Sequence, residues 1–399
     1  MAEAAGETRN RVRVAIVAPS MAILGGQAVQ ASRLLAAWTG DPDVEAWLVP
    51  VNPLPIRPLR ILTRVKFART IAVQSAYWPL LVRELRRADV VHVFSASYFS
   101  FLLAPVPAVL AARLLGKPVL MNYRSGEAPD HLKRSAVARR VLRGVDRNVV
   151  PSAFLRDVFA GFGISAEIVP NIVDLERFAF RPRGALRPRL LSTRNFDGLY
   201  NVACTLDAFA IVQAHYPDAS LTLVGSGREA RALHDRAGAL GLRNVTFAGR
   251  VPPTEIWRYY ADADIYVQTP DIDNMPASVL EAFASGCAVV STDAGGVPAI
   301  MTDGEHGFLV PRGDHRALAD RVLRLLGDPG LSARVTTSAR AACEAYRWSA
   351  VRDRWLAIYR QLASRHLIHA GWQANPHMGS SATHPRGSTR LSEQARRNL

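Results

Sequence analysis

The chain has 399 residues, 49% of them hydrophobic and 21% charged, and a net charge of +15. At roughly 150 residues per domain this length implies two domains, or three, and the apolar content excludes a disordered chain or a one-core miniprotein. Three scattered cysteines, Cys204, Cys287 and Cys343, exclude a disulfide scaffold and a cysteine-rich zinc site and fit a reducing compartment.

The first ten residues are polar and carry no apolar core, so no secretory signal is expected. The apolar run Val12 to Ala18 predicts a strand. Gly25-Gly26 and a helical pattern from Gln27 to Trp38 follow it, and a second run spans Val44 to Val49. Glycines between a strand and a helix let backbone approach a ligand, and the helix N-terminus offers free N–H groups to an anion. The same pair also serves as a plain strand-to-helix turn, and it lacks the spacing of a dinucleotide fingerprint.

The window 51–150 is the basic part of the chain, with 17 Lys and Arg against 5 Asp and Glu. Such a surface suits an anionic partner, either a phosphorylated lipid or a membrane. Only three of the 49 basic residues are Lys, with Arg the rest. That bias also fits a GC-rich genome with no binding role. Nucleic acid is not expected, because zinc-finger spacing and an RNP-type motif are both missing. Within the window, Arg57, Arg60 and Arg64 share one face of a candidate amphipathic helix over Arg57 to Arg69. Val90 to Ala112 is long and apolar enough to raise a transmembrane reading. Pro105, Pro107 and several serines interrupt it, so a strand over Val90 to Phe94 followed by a helix is expected instead.

Strands are predicted at Val119 to Asn122 and Asn148 to Val150. Pro170 to Arg189 breaks the rhythm with a Pro- and Arg-dense stretch read as the crossing between domains. Alternation resumes with strands at Leu190 to Thr193, Ser220 to Val224, Asn244 to Ala248, Ile265 to Gln268 and Ala288 to Ser291. Helices Tyr200 to His215 and Pro276 to Ser285 fall between them. Buried strands alternating with helices imply an α/β chain of two doubly wound parallel-sheet halves, with a ligand at the strand C-termini between them. A last helix, Trp348 to Leu362, carries an apolar stripe that has to be covered. Residues 370–399 read as a polar, disordered tail, and its histidines are too irregularly placed for a metal site.

Two further segments carry chemistry. In Asp271 to Glu281, Asn274 is a candidate N-cap and Pro276 opens a helix. Asp273 and Glu281 lie eight positions apart, so both can reach one polyhydroxylated ligand while the helix N–H groups meet phosphate oxygens. Asp271-Ile272-Asp273 can also be read as a metal-binding D-x-D pair. Arg194 follows the first strand of the second half and LVGSG, residues 223–227, the next. An arginine there suits a diphosphate clamp or a structural ion pair.

These segments resemble the retaining GT-B glycosyltransferases of family 4 over about residues 11 to 362. The match rests on DNMPASVLEAFASGCAVVSTDAGG (273–296), Gly307 to Val310, LVGSG, NVTFAGRV (244–251), VPNIVDLERF (169–178) and Gly25-Gly26. The resemblance implies two Rossmann-like doubly wound domains facing across a cleft. The first is residues 1–180, on the acceptor side. The second, 181–345, binds the nucleotide sugar. A crossover helix, 346–365, returns to the first domain, and 366–399 form the tail.

The resemblance implies the residue roles as well. Glu281, the second acid of the E-x7-E motif, holds the donor ribose, and Asp273 stands at the first acid and meets the transferred sugar. Asn274, Met275 and Pro276 line the sugar and phosphate pocket. Arg194, with Arg124 as a second candidate, meets the diphosphate, and Gly25 and Gly26 close over it. Gly225 and Gly227 belong to the donor site, and Gly249, Arg250 and Val251 lie by the base.

The chain departs from the pattern in three places. The first acid is Asp, the Lys expected near Leu199, Tyr200 and Asn201 is missing, and Tyr123-Arg124-Ser125 replaces a first-domain His. The expected function is retaining, metal-independent transfer of a hexose-type sugar from a nucleotide diphosphate sugar to an acceptor hydroxyl. A lipid-linked or anionic acceptor is expected, at the cytoplasmic face of the cell membrane in surface polysaccharide or glycolipid synthesis, with no bound cofactor. An epimerase or phosphorylase on the same fold, or a non-catalytic partner subunit, are the alternatives.

Overall fold

The apolar runs of the first half assemble into one six-stranded sheet. The computed structural model describes residues 11–22, 25–53, 66–95 and 97–374. In chain order the first half runs β1 (Val12–Ala18), α1 (Gly26–Trp38), β2 (Val44–Pro50), α2 (Lys66–Leu85), β3 (Val90–Phe94), α3 (Tyr98–Leu103) and α4 (Pro105–Leu114). It continues with β4 (Val119–Asn122), α5 (Ala128–Arg134), α6 (Ala136–Gly144), β5 (Arg147–Val150), α7 (Ala153–Gly161) and β6 (Glu167–Ile168). The strands are parallel, in the order β2-β1-β3-β4-β5-β6. Alternate residues face opposite sides of a strand. Ala15 and Val17 therefore pack with Tyr77, Leu81 and Phe101 on one side, while Val14 and Ile16 pack with Leu34 and Trp38 on the other. Covering both faces is what makes the strands continuous apolar runs.

The second half repeats the scheme. It comprises β7 (Arg189–Ser192), α8 (Val202–His215), β8 (Ser220–Val224), α9 (Ala230–Ala239), β9 (Val245–Gly249), α10 (Trp257–Asp262) and β10 (Ile265–Gln268). Then come α11 (Ala277–Ser285), β11 (Ala288–Thr292), β12 (Phe308–Val310), α12 (His315–Gly327) and α13 (Pro329–Ala342). The sheet order is β12-β11-β10-β7-β8-β9, again parallel. Strand order therefore reverses between β7 and β10, and in the first sheet between β1 and β3. Crevices at the strand C-termini open at these two points.

The last helix, α14 (Trp348–Ala374), crosses back. Val351, Trp355, Leu356, Ile358, Tyr359 and Leu362 enter the same core as Val14, Ile16, Val90 and Leu120. Arg352 pairs with Asp41 at 2.8 Å and Asp43 at 2.7 Å, which locks the helix beside β2. The helix runs past the expected start of the tail at 366, because extending a formed helix is far easier than nucleating one. Residues 375–399 lie outside the described residues, as does most of the Arg57 to Arg69 stretch.

The Pro- and Arg-rich crossing is tied down. Arg181, Arg183 and Arg187 converge on Asp264, at 2.5, 3.2 and 3.0 Å, where Arg183 and Asp264 are almost fully buried. Burial alone would raise the Asp264 carboxyl. Hydrogen bonds from Arg187, then Arg181, hold it well below the usual carboxylate range. Val90 to Ala112 forms β3, α3 and most of α4. No helix among the described residues is long and apolar enough to cross a membrane.

Candidate active site

The two crevices face each other across a cavity of about 200 Å³ lined by both domains. Gly25, Gly26, Val29 and Arg33 enter from α1 and the turn before it. Arg194, Tyr200, Gly225, Arg250, Val251, Ser278 and Glu281 are among those entering from the second domain.

Arg194 sits just beyond β7, at the reversal point. Its Nη2 donates to Asp273 Oδ2 at 2.7 Å and its Nη1 to Ser278 Oγ at 3.2 Å, and its guanidinium lies 4.0 Å from the centroid of the Tyr200 ring. Its Nε is buried and has no hydrogen-bond partner among the described residues. Burial alone would lower this group. Asp273, together with Tyr200, Tyr266 and Tyr260, more than offsets that and holds it protonated above its ordinary value. A fixed guanidinium lining a cavity is chemically suited to an anion.

Glu281 lies one turn into α11. Its carboxylate is almost buried and receives Arg33 Nη2 at 2.5 Å, so α1 of the first domain is joined to α11 of the second. Gly25 is the N-cap of α1 and makes no side-chain cap bond. A Cβ built on Gly25 or Gly26 meets nothing within 4 Å among the described residues, so their packing does not demand glycine there. Gly225 differs, because its Cβ would fall 2.2 Å from the carbonyl oxygen of Arg194.

Asp273 is reached from Arg194 and borders a second interdomain cavity of about 640 Å³. Tyr98, Glu127, Asp130, Asp271 and Arg312 also line it. Glycines crowd the Asp273 backbone from both domains. A Cβ on Gly126 would lie 2.9 Å from Asp273 C, and one on Gly295 would clash with its oxygen.

Asn274 corrects the N-cap reading. The cap of α11 is Pro276, with φ −65° and ψ 119°. The Asn274 amide is engaged across the domain interface instead. Its Oδ1 accepts from the Ser152 hydroxyl, and its Nδ2 donates to the Arg124 carbonyl at 3.4 Å. Met275 is buried, and its carbonyl accepts from Asn171 Nδ2 at 2.6 Å. Asn274, Met275 and Pro276 therefore stand behind the cavity wall rather than in it.

Gly227 also lies outside the lining. Its Cβ would clash with the Phe196 carbonyl, so it serves loop packing. Gly249 is left-handed at φ +69° and accepts from Gly225 N–H at 2.9 Å, behind the lining residues Arg250 and Val251.

Arg124 is turned toward the first-domain core. Its Nη1 donates to Asn122 Oδ1 at 3.0 Å, and its guanidinium lies 5.5 Å from the Phe94 ring centroid. Burial pushes it down to about 9. Asn122 Nδ2 donates to His92 Nε2 at 3.0 Å, which leaves His92 Nδ1–H to donate to the Tyr359 oxygen at 2.8 Å. Burial, then Arg124, push His92 down to about 3, so the ring is neutral.

Sequence reasoning missed Arg33 and Ser278. Ser278 lay inside the quoted motif. The one local signal for Arg33 is an arginine at positions i+7 from Gly26 and i+3 from Gln30, on one helical face. Among the described residues no group of three or more His, Cys, Asp or Glu could hold a metal ion. Asp271 accepts from Asn201 Nδ2 at 3.4 Å.

Residues 9–177 match the family model described as Glycosyltransferase Family 4, and residues 181–342 the model described as Glycosyl transferases group 1. The phosphatidyl-myo-inositol mannosyltransferase of Mycobacterium leprae is 26% identical over 348 residues, 84% of this chain and 89% of the relative. The sulfoquinovosyl transferase SQD2 of Arabidopsis thaliana is 25% identical over 71% of this chain and 59% of its own. The crystal structure of Anabaena HepE in complex with UDP and glucose superposes with a TM-score of 0.68 at 16% identity, over 89% of this chain and 100% of that one. At that identity the likeness is one of fold. With each half matched by its own model and the paired Rossmann-like sheets in place, the chain belongs to the family-4-like glycosyltransferases of the GT-B fold.

Proposed function

We propose that the chain transfers a hexose-type sugar, with retained anomeric configuration and without a metal, from a nucleotide diphosphate sugar to a hydroxyl of a membrane glycolipid or surface-polysaccharide precursor. The observation that carries this reading is the convergence of Arg194, Glu281 and the Gly25-Gly26 turn on one interdomain cavity. Glu281 accepts hydrogen bonds from ribose hydroxyls. Arg194 and the first amides of α11, at Ala277 and Ser278, face the diphosphate. Arg250 and Val251 lie toward the base. The reaction breaks the bond between the sugar C1 and the phosphate oxygen, and negative charge accumulates on the departing diphosphate. Fixed donors aimed at that charge stabilise the transition state. The acceptor attacks from the face the phosphate leaves, and the phosphate takes the acceptor proton, so no protein nucleophile is required.

A lipid acceptor is supported by the mannosyltransferase relative, whose name specifies phosphatidyl-myo-inositol. A second support is a set of exposed apolar side chains on helices of the first domain. Ile71 and Trp78 on α2, Phe99 and Leu102 on α3, and Leu110 and Leu114 on α4 are exposed large apolar side chains. They lie in the basic window 51–150. Exposed apolar side chains within a basic segment suit peripheral attachment to an anionic membrane.

The test is incubation with labelled UDP- and GDP-hexoses and vesicles containing phosphatidylinositol. Label appearing in lipid, with its anomeric configuration retained by NMR, is the expected result. An isomerised nucleotide sugar without transfer would assign an epimerase, and a sugar phosphate formed in the presence of inorganic phosphate would assign a phosphorylase. Nucleotide binding with turnover only after a second protein is added would assign a partner subunit.

A further inference from the structure

We propose that Arg33 is a positioning residue for the donor. It orients the Glu281 carboxylate and, through the same contact, fixes helix α1 and its glycine turn over the cavity. The proposal rests on reading that cavity as the nucleotide-sugar site.

A carboxylate as buried as Glu281 requires a charged or hydrogen-bonding partner. Arg33 is that partner, at 2.5 Å on Oε1, with side-chain exposures of 15% for Arg33 and 9% for Glu281. Oε1 is thereby engaged by Arg33, and the Tyr260 hydroxyl is a second neighbour of the carboxylate. A carboxylate has about four lone-pair sites, so acceptor capacity is left for hydroxyl donors. Arg33 is itself held in place. Its Nη1 donates to the Ile172 carbonyl at 3.3 Å, and its guanidinium lies 5.8 Å from the Phe178 ring centroid.

One turn earlier on α1, Gln30 clasps Ile172 from both sides. It donates to the carbonyl at 3.4 Å and accepts from the N–H at 3.3 Å. Helix α1 is therefore fastened at two successive turns. Gly26 lies two turns back on the same rigid helix, about 10 Å along its axis at 1.5 Å per residue. Whatever moves the guanidinium moves both the glycine turn and the carboxylate. Arg194, a second cation in the wall, is engaged by Asp273 instead. Arg33 thus acts on donor binding through Glu281, whereas Arg194 meets the diphosphate itself.

The experiment is a calorimetric titration of the full chain with UDP and with GDP, comparing wild type, Arg33→Met, Arg33→Lys, Glu281→Gln and the Arg33→Met/Glu281→Gln double variant. For the nucleotide that wild type binds, Arg33→Met is expected to weaken affinity about 5- to 150-fold, the usual span of a coupling between sites. Arg33→Lys should recover most of that loss. In the Glu281→Gln background Arg33→Met should add almost nothing, because the two residues act as one unit. Multiplying effects would overturn the proposal by assigning Arg33 a contact of its own, and so would wild-type affinity in Arg33→Met. Should Arg33→Met fail to fold, the Lys variant and the double variant, which leaves no unpaired charge, decide the question on the same terms. Binding of neither nucleotide by wild type would instead overturn the reading of the cavity on which the proposal rests.

Discussion

Replacing Gly225 with alanine is expected to disable transfer by displacing Arg194, without the new methyl touching any ligand. A Cβ at this position lies 2.2 Å from the Arg194 carbonyl oxygen, 2.9 Å from its carbonyl carbon and 3.3 Å from Asn195 Cα. Ordinary contacts between carbon atoms sit at about 3.5–4.0 Å, so something has to give by about 1 Å. The Gly225 side is pinned, because its N–H is bonded to Gly249 and β8 is laddered to both β7 and β9. The loop after β7 therefore yields, and it carries the guanidinium that bonds Asp273 and Ser278. Misplacing a positioned group by about 1 Å costs on the order of 100-fold in rate, and overpacking costs about 1–3 kcal/mol in stability. Gly25→Ala is the matched control, since its methyl meets none of the described residues. Gly25→Ala should leave the melting temperature unchanged, so that any loss of turnover reports on the ligand. The assay is turnover under saturating acceptor together with a thermal melt of each variant. A Gly225→Ala enzyme that melts like wild type and works within twofold of it would refute the reasoning.

Other consequences can be measured directly. Asp264→Ala leaves Arg183 buried without its counter-charge and should cost about 3–5 kcal/mol of stability by denaturant titration. The Asp264 carboxyl is held below its unfolded value, which is about 3.9, so its stabilisation is complete above about pH 5 and is lost progressively as pH falls below that. The acid limb of a melting profile should therefore flatten in this variant. Arg194→Gln should cost turnover about 100-fold or more, and EDTA should cost none; activity lost to the chelator and restored by manganese would contradict the metal-free reading. Ile71→Glu together with Phe99→Glu removes two side chains that are 71% and 66% exposed. At about 1.5–3 kcal/mol per buried apolar side chain, co-sedimentation with anionic vesicles should fall at least tenfold with no change in melting, and unchanged co-sedimentation would refute membrane attachment through these side chains.

The fold was legible because its strands are covered on both faces and so form unbroken apolar runs. Val90 to Phe94, Val119 to Asn122, Ser220 to Val224 and Ile265 to Gln268 have the bounds read from sequence. Strand β6, only two residues long, carries too little pattern to find. The N-cap at Asn274 was misplaced because local preference favours asparagine, whereas Ser152 and Arg124, more than a hundred positions away, claim its amide. Arg33 was missed for the same reason: its partner lies 248 residues further along. The Arg-rich crossing was visible as a break in rhythm, but Asp264, which gathers its guanidinium groups, has no signature near that break.

The returning α14 has a consequence for the order in which the protein is made. The side of the first sheet that holds Val14, Ile16, Val90 and Leu120 is roofed partly by Trp355, Tyr359 and Leu362. Translation at about 5–20 residues per second delivers that roof roughly 10–40 s after the sixth strand has left the ribosome. Throughout that interval a greasy surface stands open on the nascent chain, and the amino-terminal lobe waits for the carboxyl-terminal lobe before its interior can close. A fragment ending near residue 180 should accordingly emerge sticky and chaperone-bound, however well its strands pair.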